Sequence, residues 1–168
     1  MNKELQEIYQ KSGLSITDYI TKNESKKYDA CRFKLNKFYI ISRTAYKTPK
    51  KDGLFVTFWK RNLASKIEPI NQNDKFDFYI VNVVKNKLLA QFIFPKQVLI
   101  QEGIVSTNEK EGKRAFRVYP KWDTPQNKQA KKTQSWQLKY FHQISDNTSL
   151  DEIFTSPPKL IHSTQKEH

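Results

Sequence analysis

Apolar and polar side chains alternate or run together along this chain in patterns that predict most of its elements. From Tyr28 to Leu35, and again from Phe38 to Thr44, apolar positions recur at strand spacing, with Asn36-Lys37 as the turn between. Phe76 to Val84 is an almost unbroken aromatic and β-branched run and predicts a central strand; Leu88 to Phe94 predicts its neighbour across the tight Lys85-Asn86-Lys87 turn. Ala115 to Tyr119 sets Phe116 and Val118 against Arg117 and Tyr119, a one-sided strand with its arginine outward. The stretch from Arg43 to Arg61 reads as a hairpin. Pro49 suits an early turn position, Asp52-Gly53 returns the chain, and the apolar residues on both faces of the return strand place it inside a sheet. Joined to the two strands before it, this hairpin predicts a meander.

Helical spacing of Leu5, Ile8 and Tyr9 predicts a first helix over Asn2 to Lys11, with Gly13 to end it. Ser15 before Ile16-Thr17-Asp18 has the outline of a capping box and predicts a second helix to about Thr21, then a loop at Asn23, Glu24 and Ser25. Asn62 to Lys75 is polar and predicts a loop. Pro95 can open a short helix from Lys96 to Gln101, and Ile104 to Ser106 adds a short strand after Gly103. Thr124-Pro125 starts the longest predicted helix, running to about Ile144, with Ala130, Thr133, Trp136, Tyr140, Phe141 and Ile144 on its inner stripe. One helical turn fits DNTSLDEIF, and Ser156 to His168 is expected to be disordered. The elements add up to α/β (α+β): a single domain over residues 1–155, with a mixed, mostly antiparallel central sheet flanked by helices.

Composition narrows the function. A chain of 168 residues suits one domain. Its formal net charge of +13 points to phosphate-bearing partners, nucleic acid first and an anionic membrane surface or other acidic partner second. The lone Cys31 permits no internal disulfide, which suits a reducing cytoplasm, and it reads as a small buried residue rather than a nucleophile. The opening MNKELQEIYQK has no apolar signal core, and no stretch is apolar enough to insert into a membrane.

The positive charge is not scattered. Nine Lys and Arg lie between Arg32 and Arg61 against Asp52 alone, and nine more lie between Glu109 and Lys139 against Glu109, Glu111 and Asp123. These runs supply the candidate nucleic-acid contacts: Arg43, Lys47, Lys50, Lys51, Lys60 and Arg61 in the first, Lys113, Arg114, Arg117, Lys121, Lys128, Lys131 and Lys132 in the second. Arg114 and Arg117 are the candidates for reading base edges, because a planar guanidinium can bind bidentately. Tyr46, Trp59, Tyr119 and Trp122 interleave with them as possible stacking platforms, although core is the better reading of Trp59 and Trp136. DNA is the expected partner. The membrane reading would need an amphipathic helix with a free apolar face, and the apolar face of the late helix is wanted by the core.

The strings CRFKLNKFYI, FDFYIVNVV, QFIFPKQVLI, GKRAFRVYPKWD and NKQAKKTQSWQLKYF occur in a consistent order from about Tyr28 to Ile144, and together they resemble the MepB family of bacterial cytoplasmic proteins. The resemblance implies a fold similar to the PD-(D/E)xK restriction-endonuclease core and an ability to bind DNA. Such nucleases need a strand-end carboxylate and an (Asp/Glu)-x-Lys triplet on the next strand, so that two carboxylates hold a divalent metal while lysine handles the attacking water. Asp77 offers the first carboxylate, although a strand-entry residue capping local amides is its blander role. The neighbouring strand offers Gln91-Phe92-Ile93 and Phe94-Pro95-Lys96, and neither triplet begins with a carboxylate. Asp77, Gln91 and Lys96 are therefore weak catalytic candidates, and Mg²⁺ is implied only under the nuclease alternative. No zinc-type or nucleotide-cradling motif is present, so no other cofactor is expected.

Overall fold

The computed structural model describes residues 1–155. In chain order these form α1 (Lys3–Lys11), β1 (Ile16–Thr21), β2 (Cys31–Leu35), β3 (Phe38–Thr44), β4 (Tyr46–Lys47), β5 (Leu54–Thr57), β6 (Trp59–Arg61), β7 (Ile67–Pro69), β8 (Phe78–Lys85), β9 (Leu88–Pro95), α2 (Lys96–Gln101), β10 (Ala115–Val118), α3 (Lys128–Gln137), β11 (Phe141–Ile144) and α4 (Asp151–Thr155). The expected disorder of Ser156 to His168 concerns residues outside those described.

The main sheet has six strands in the order β1-β2-β3-β8-β9-β11, and all its pairings are antiparallel except β3 with β8. This is the mixed, mostly antiparallel α+β arrangement the periodicity predicts. A parallel pair needs a long crossover, and residues 45–77 provide it. That crossover explains why the expected meander does not form. The place beside β3 is taken by β8, so the hairpin leaves the main sheet and builds a second, three-stranded sheet in the order β10-β5-β4. The hairpin itself is present, with Tyr46 opposite Phe55 and Lys47 opposite Leu54, and β5 is interior to its own small sheet. Gly53 at its tip has φ +74, and a Cβ there would come within 2.6 Å of the Tyr119 ring.

The two faces of the main sheet carry separate cores. One buries Phe58, Tyr79, Val81, Phe92, Phe94 and Phe116 beneath the small sheet and α2, with Phe58 stacked on Tyr79 at 4.1 Å between ring centroids. Trp136 of α3 is half-buried there, 5.4 Å from the Phe94 ring. The other core buries Leu5, Ile8 and Tyr9 of α1 with Phe33, Leu35, Phe78 and Phe154. Asn2 caps α1 by accepting the Glu4 amide at 2.8 Å.

Five local expectations give way. Ile16 to Thr21 is a strand rather than a helix, because ITDYIT is rich in β-branched residues and finds β2 as a partner. The β1–β2 ladder is interrupted by a bulge between Thr17 and Ile20, with Asp18 at φ 54. The loop expected at Asn23 to Ser25 opens a 3₁₀ turn, and the loop from Asn62 to Lys75 contains β7, paired with β6 as a two-stranded ribbon. Ile104 to Ser106 contributes one isolated bridge, Ser106 with Asn71, instead of a strand. The late helix is shorter than predicted at both ends. Asn127 takes over the N-cap by accepting the Ala130 amide at 2.8 Å, and Phe141 to Ile144 leaves the helix to cover the open edge of β9.

Candidate functional site

Parallel strands β3 and β8 end side by side, and a cleft of about 1190 Å³ opens over those ends. It passes from the α1 face of the sheet, across the strand termini, to the wall made by the β4–β5 hairpin. Its floor is a polar row drawn from adjacent strands, stepping by two residues on β3 because Ser42 pairs with Ile80, and continued beyond the cleft by His142. Cys31 pairs with Ser42, Thr44 with Asn82, Asn82 with Gln91, and Gln91 with His142. Asn82 Nδ2 donates to Ser42 Oγ at 3.1 Å, while Gln91 Nε2 donates to Asn82 Oδ1 at 2.8 Å and to the Tyr9 hydroxyl at 3.1 Å. Gln91 is fully buried, and its Oε1 has no hydrogen-bond partner. A buried acceptor without a donor is expensive in an apolar sheet, and it marks this row as something other than packing.

Burial holds the titratable groups of the floor and its flank in their neutral forms. It pushes the Tyr9 phenol well above its ordinary range, against the hydrogen bond from Gln91. It also pushes the Cys31 thiol up, against hydrogen bonds with Tyr19 and Ser42, so Cys31 is held as a neutral thiol and not as a nucleophile. Burial lowers His142 and so favours neutral imidazole.

Around the mouth stand Lys22, Lys26, Lys47, Lys51 and Lys85, against Asp29, Asp52 and Asp123. Burial raises the Asp123 carboxyl, while Lys85 and Lys47 pull it down. Tyr19, Tyr46 and Trp122 stand in the walls, with the Lys85 ammonium 5.9 Å from the Trp122 ring. Of the four candidate stacking residues, Tyr46 and Trp122 line the cleft; Trp59 and Tyr119 lie elsewhere, and Tyr119 is buried.

The candidate cations divide sharply. Arg43 is 6% exposed, donating to Thr57 Oγ1 at 2.6 Å and to the Trp59 carbonyl at 2.9 Å, so it clips the small sheet to the large one and presents nothing to a phosphate. Arg61 is held by Glu24 at 2.7 Å, Arg114 by Glu111 at 3.0 Å, and Lys60 by Asp74 at 2.7 Å. Arg117 donates to Thr48 Oγ1 at 2.6 Å and to the Asp52 carbonyl at 3.1 Å, bracing the hairpin from beneath. Lys47, Lys50 and Lys51 remain exposed on the hairpin, as do Lys113, Lys121, Lys128, Lys131 and Lys132 elsewhere. Asp52 Oδ2 accepts the Gln126 amide at 3.1 Å, which ties the hairpin tip to the approach to α3 and brings the two basic runs together.

Of the nuclease candidates the structure brings Asp77 and Lys96 together, the Lys96 backbone amide donating to the Asp77 carbonyl at 2.9 Å, and leaves Gln91 apart. Asp77 lies before β8, where its Oδ2 accepts the Tyr39 amide at 2.8 Å, and the Lys96 ammonium donates to the Asp74 carbonyl. Asn82 of β8 and its partner Gln91 of β9 lie at the far end of the β3–β8 pairing, Asn82 five residues from Asp77, a span of about 17 Å along an extended strand. Among the described residues no group of three or more His, Cys, Asp or Glu could hold a metal ion. The amide row supplies neutral oxygens where a divalent ion needs carboxylates, so these side chains do not fit Mg²⁺.

Sequence reasoning passes over Ser42, Asn82, Lys22, Lys26, Tyr19 and Lys85. A signal for the floor does exist: Asn82 interrupts FYIVNVV and Gln91 interrupts LLAQFIF, each a single amide in a run otherwise built to be buried. Among the described residues no helix is long and apolar enough to cross a membrane.

The fold and the cleft define an α+β domain organised on a mixed sheet with a polar, lysine-rimmed opening at its strand ends. The sequence profile of the MepB-like family matches residues 22–143, and the chain belongs to that family. The crystal structure of MepB superposes with a TM-score of 0.76 at 36% identity, covering 89% of this chain and 100% of that one. A bacterial homing endonuclease aligns with a TM-score of 0.45 at 16% identity over 82% of this chain and 86% of that one, a likeness too distant to carry an argument. Comparison with curated proteins gives no match.

Proposed function

We propose that this protein binds nucleic acid, DNA before RNA, along its lysine-rimmed cleft and the adjoining hairpin, and that it does so without hydrolysing it. The observation that carries the reading is the cleft itself: five lysines at the mouth, tyrosine and tryptophan in the walls, and hydrogen-bonding amides at the floor. Phosphates would sit on Lys22, Lys26, Lys47 and Lys51, with Lys50 and the exposed lysines of α3 extending the path. Phosphate contacts of this kind position a nucleic acid without reading its sequence. Hydrolysis is disfavoured by the amide pair Asn82 and Gln91, which stands across adjacent strands where metal-dependent cleavage needs carboxylates. A cytoplasmic setting suits both the charge and the single reduced cysteine.

The test is equilibrium binding to duplex DNA over a range of salt. Neutralising five to eight phosphates gives a slope of log K against log salt of about −5 to −7. Replacing Lys47, Lys50 and Lys51 together flattens that slope by about 2 to 3. A slope unchanged by this substitution would show the lysines to be a solvated surface and would remove the proposal. Incubation with plasmid and Mg²⁺ or Mn²⁺ is expected to leave the plasmid intact; cleavage abolished by Asp77→Asn would restore the nuclease alternative.

A further inference from the structure

We infer that the cleft receives one unpaired, unstacked nucleotide, and that the β8–β9 hairpin beside it is the wedge that fills the gap the base leaves behind. The inference rests on the nucleic-acid reading above and adds to it what is recognised.

Asn82 carries the first part. Its amide has two hydrogens and two acceptor positions. One hydrogen goes to Ser42 and one acceptor position is taken by Gln91, leaving a single donor beside a single acceptor on a half-buried side chain that lines the cleft. That pair matches the donor–acceptor edge of adenine. The floor lies below the lysine rim, so a duplex resting its phosphates on the lysines keeps its paired bases out of reach of Asn82. Proteins that address a base in a pocket take it out of the stack and read the exposed edge against aromatic walls, and Tyr19, which packs on Phe33 on the same face of the sheet as Asn82, supplies such a wall here. At about 1190 Å³ the cleft exceeds the roughly 300 to 1,000 Å³ typical of small-ligand sites, leaving room for a nucleotide and its flanking backbone.

An independent observation carries the second part. Val84 and Leu88, at the end of the β8–β9 hairpin, are 57% and 46% exposed, although both belong to strands that are otherwise deeply buried. Val84 lines the cleft, and the exposed Lys85 and Lys87 flank the turn. Lys85 and Lys87 stand between the two apolar residues at the turn, and the β8–β9 register puts Val84 and Leu88 on opposite faces. The hairpin end thus carries one exposed apolar side chain on each face, as an unstacking wedge needs to meet the base on either side of the gap, with the lysines at the turn for the backbone.

The experiment compares two duplexes of the same sequence at the same ionic strength, one fully paired and one carrying a single unpaired adenine. The wild-type chain is expected to bind the bulged duplex about tenfold tighter, one good bidentate base contact's worth of discrimination. Asn82→Ala and, separately, the double substitution Val84→Ser with Leu88→Ser are each expected to reduce that ratio towards one. The second variant changes only exposed side chains, so its folding is secure. Equal binding of both duplexes by the wild type would overturn this inference while leaving the nucleic-acid reading standing. No binding of either would remove both.

Discussion

The two ends of the β3–β8 pair have opposite chemistry. At the end where β8 begins, Asp77 spends its carboxylate on the Tyr39 amide and Lys96 spends its ammonium on the Asp74 carbonyl, both side chains half-buried. At the far end the side chains are neutral, a serine and two amides, yet one carbonyl oxygen is left without a donor and a cleft stands above it. The end with the reactive-looking residues is the structural one. A charged group earns attention in a sequence because it is costly to bury, but that cost is also why a folded chain satisfies it locally. The amides, which no catalytic motif singles out, are what the fold leaves at the floor of the cleft.

Four changes test this contrast, in falling order of effect. Gln91→Glu would bury a carboxylate in the floor and is expected to destabilise the protein by about 3 to 5 kcal/mol at neutral pH. Burial raises the acid's folded pKa above its unfolded value, so the folded state holds the proton more tightly and stability should recover as pH falls. Urea midpoints that do not depend on pH in this variant would mean the floor is wetter than the structure shows. At the closed end Asp77→Ala removes a charged acceptor from a backbone amide and should cost about 1.5 to 3 kcal/mol. Nucleic-acid affinity should be unmoved, and a selective loss of binding without a loss of stability would reverse the roles assigned to the two ends. Next comes a pair of single lysines. Lys51→Ala at the open end should lower affinity and flatten the salt slope by about 1, whereas Lys96→Met should leave both unchanged.

The smallest effect concerns His142, in register with Gln91. Burial lowers its folded pKa below the unfolded value, so its stabilising contribution is complete above the unfolded pKa and is lost as pH falls through the folded one. Thermal unfolding in mildly acidic buffer should show a decline that His142→Gln lessens.

Most of the fold was legible because its strands are written in β-branched and aromatic runs too long and too apolar to be anything else, as in Phe76 to Val84. The failures occur where local signals contradict pairing. Ser15 and Asp18 mimic a helix start, but the open edge of β2 draws Ile16 to Thr21 into the sheet, and the edge of β9 unwinds the end of the late helix in the same way. The site was legible only in pieces. Clustered lysines located the hairpin wall, since Lys47 and Lys51 do line the cleft, but nothing in the spacing reveals that Arg43 is buried, that Arg117 braces the hairpin, or that Arg61 and Arg114 pair with Glu24 and Glu111 at the surface. Gln91 drew notice as the start of a failed metal triplet; its place beside Asn82 depends on the β8–β9 register, which only the folded hairpin fixes.

The bulge in β1 has a bearing on self-association. As the outermost strand of the six-stranded sheet, β1 would ordinarily offer a free row of amides and carbonyls on which another chain could grow, the first step towards fibrous deposits. The left-handed turn of backbone at Asp18 breaks that row in the middle and sets a carboxylate beside the break. A strand arriving from a neighbouring molecule would lose its register after two or three residues. The sheet is thereby guarded along an exposed border.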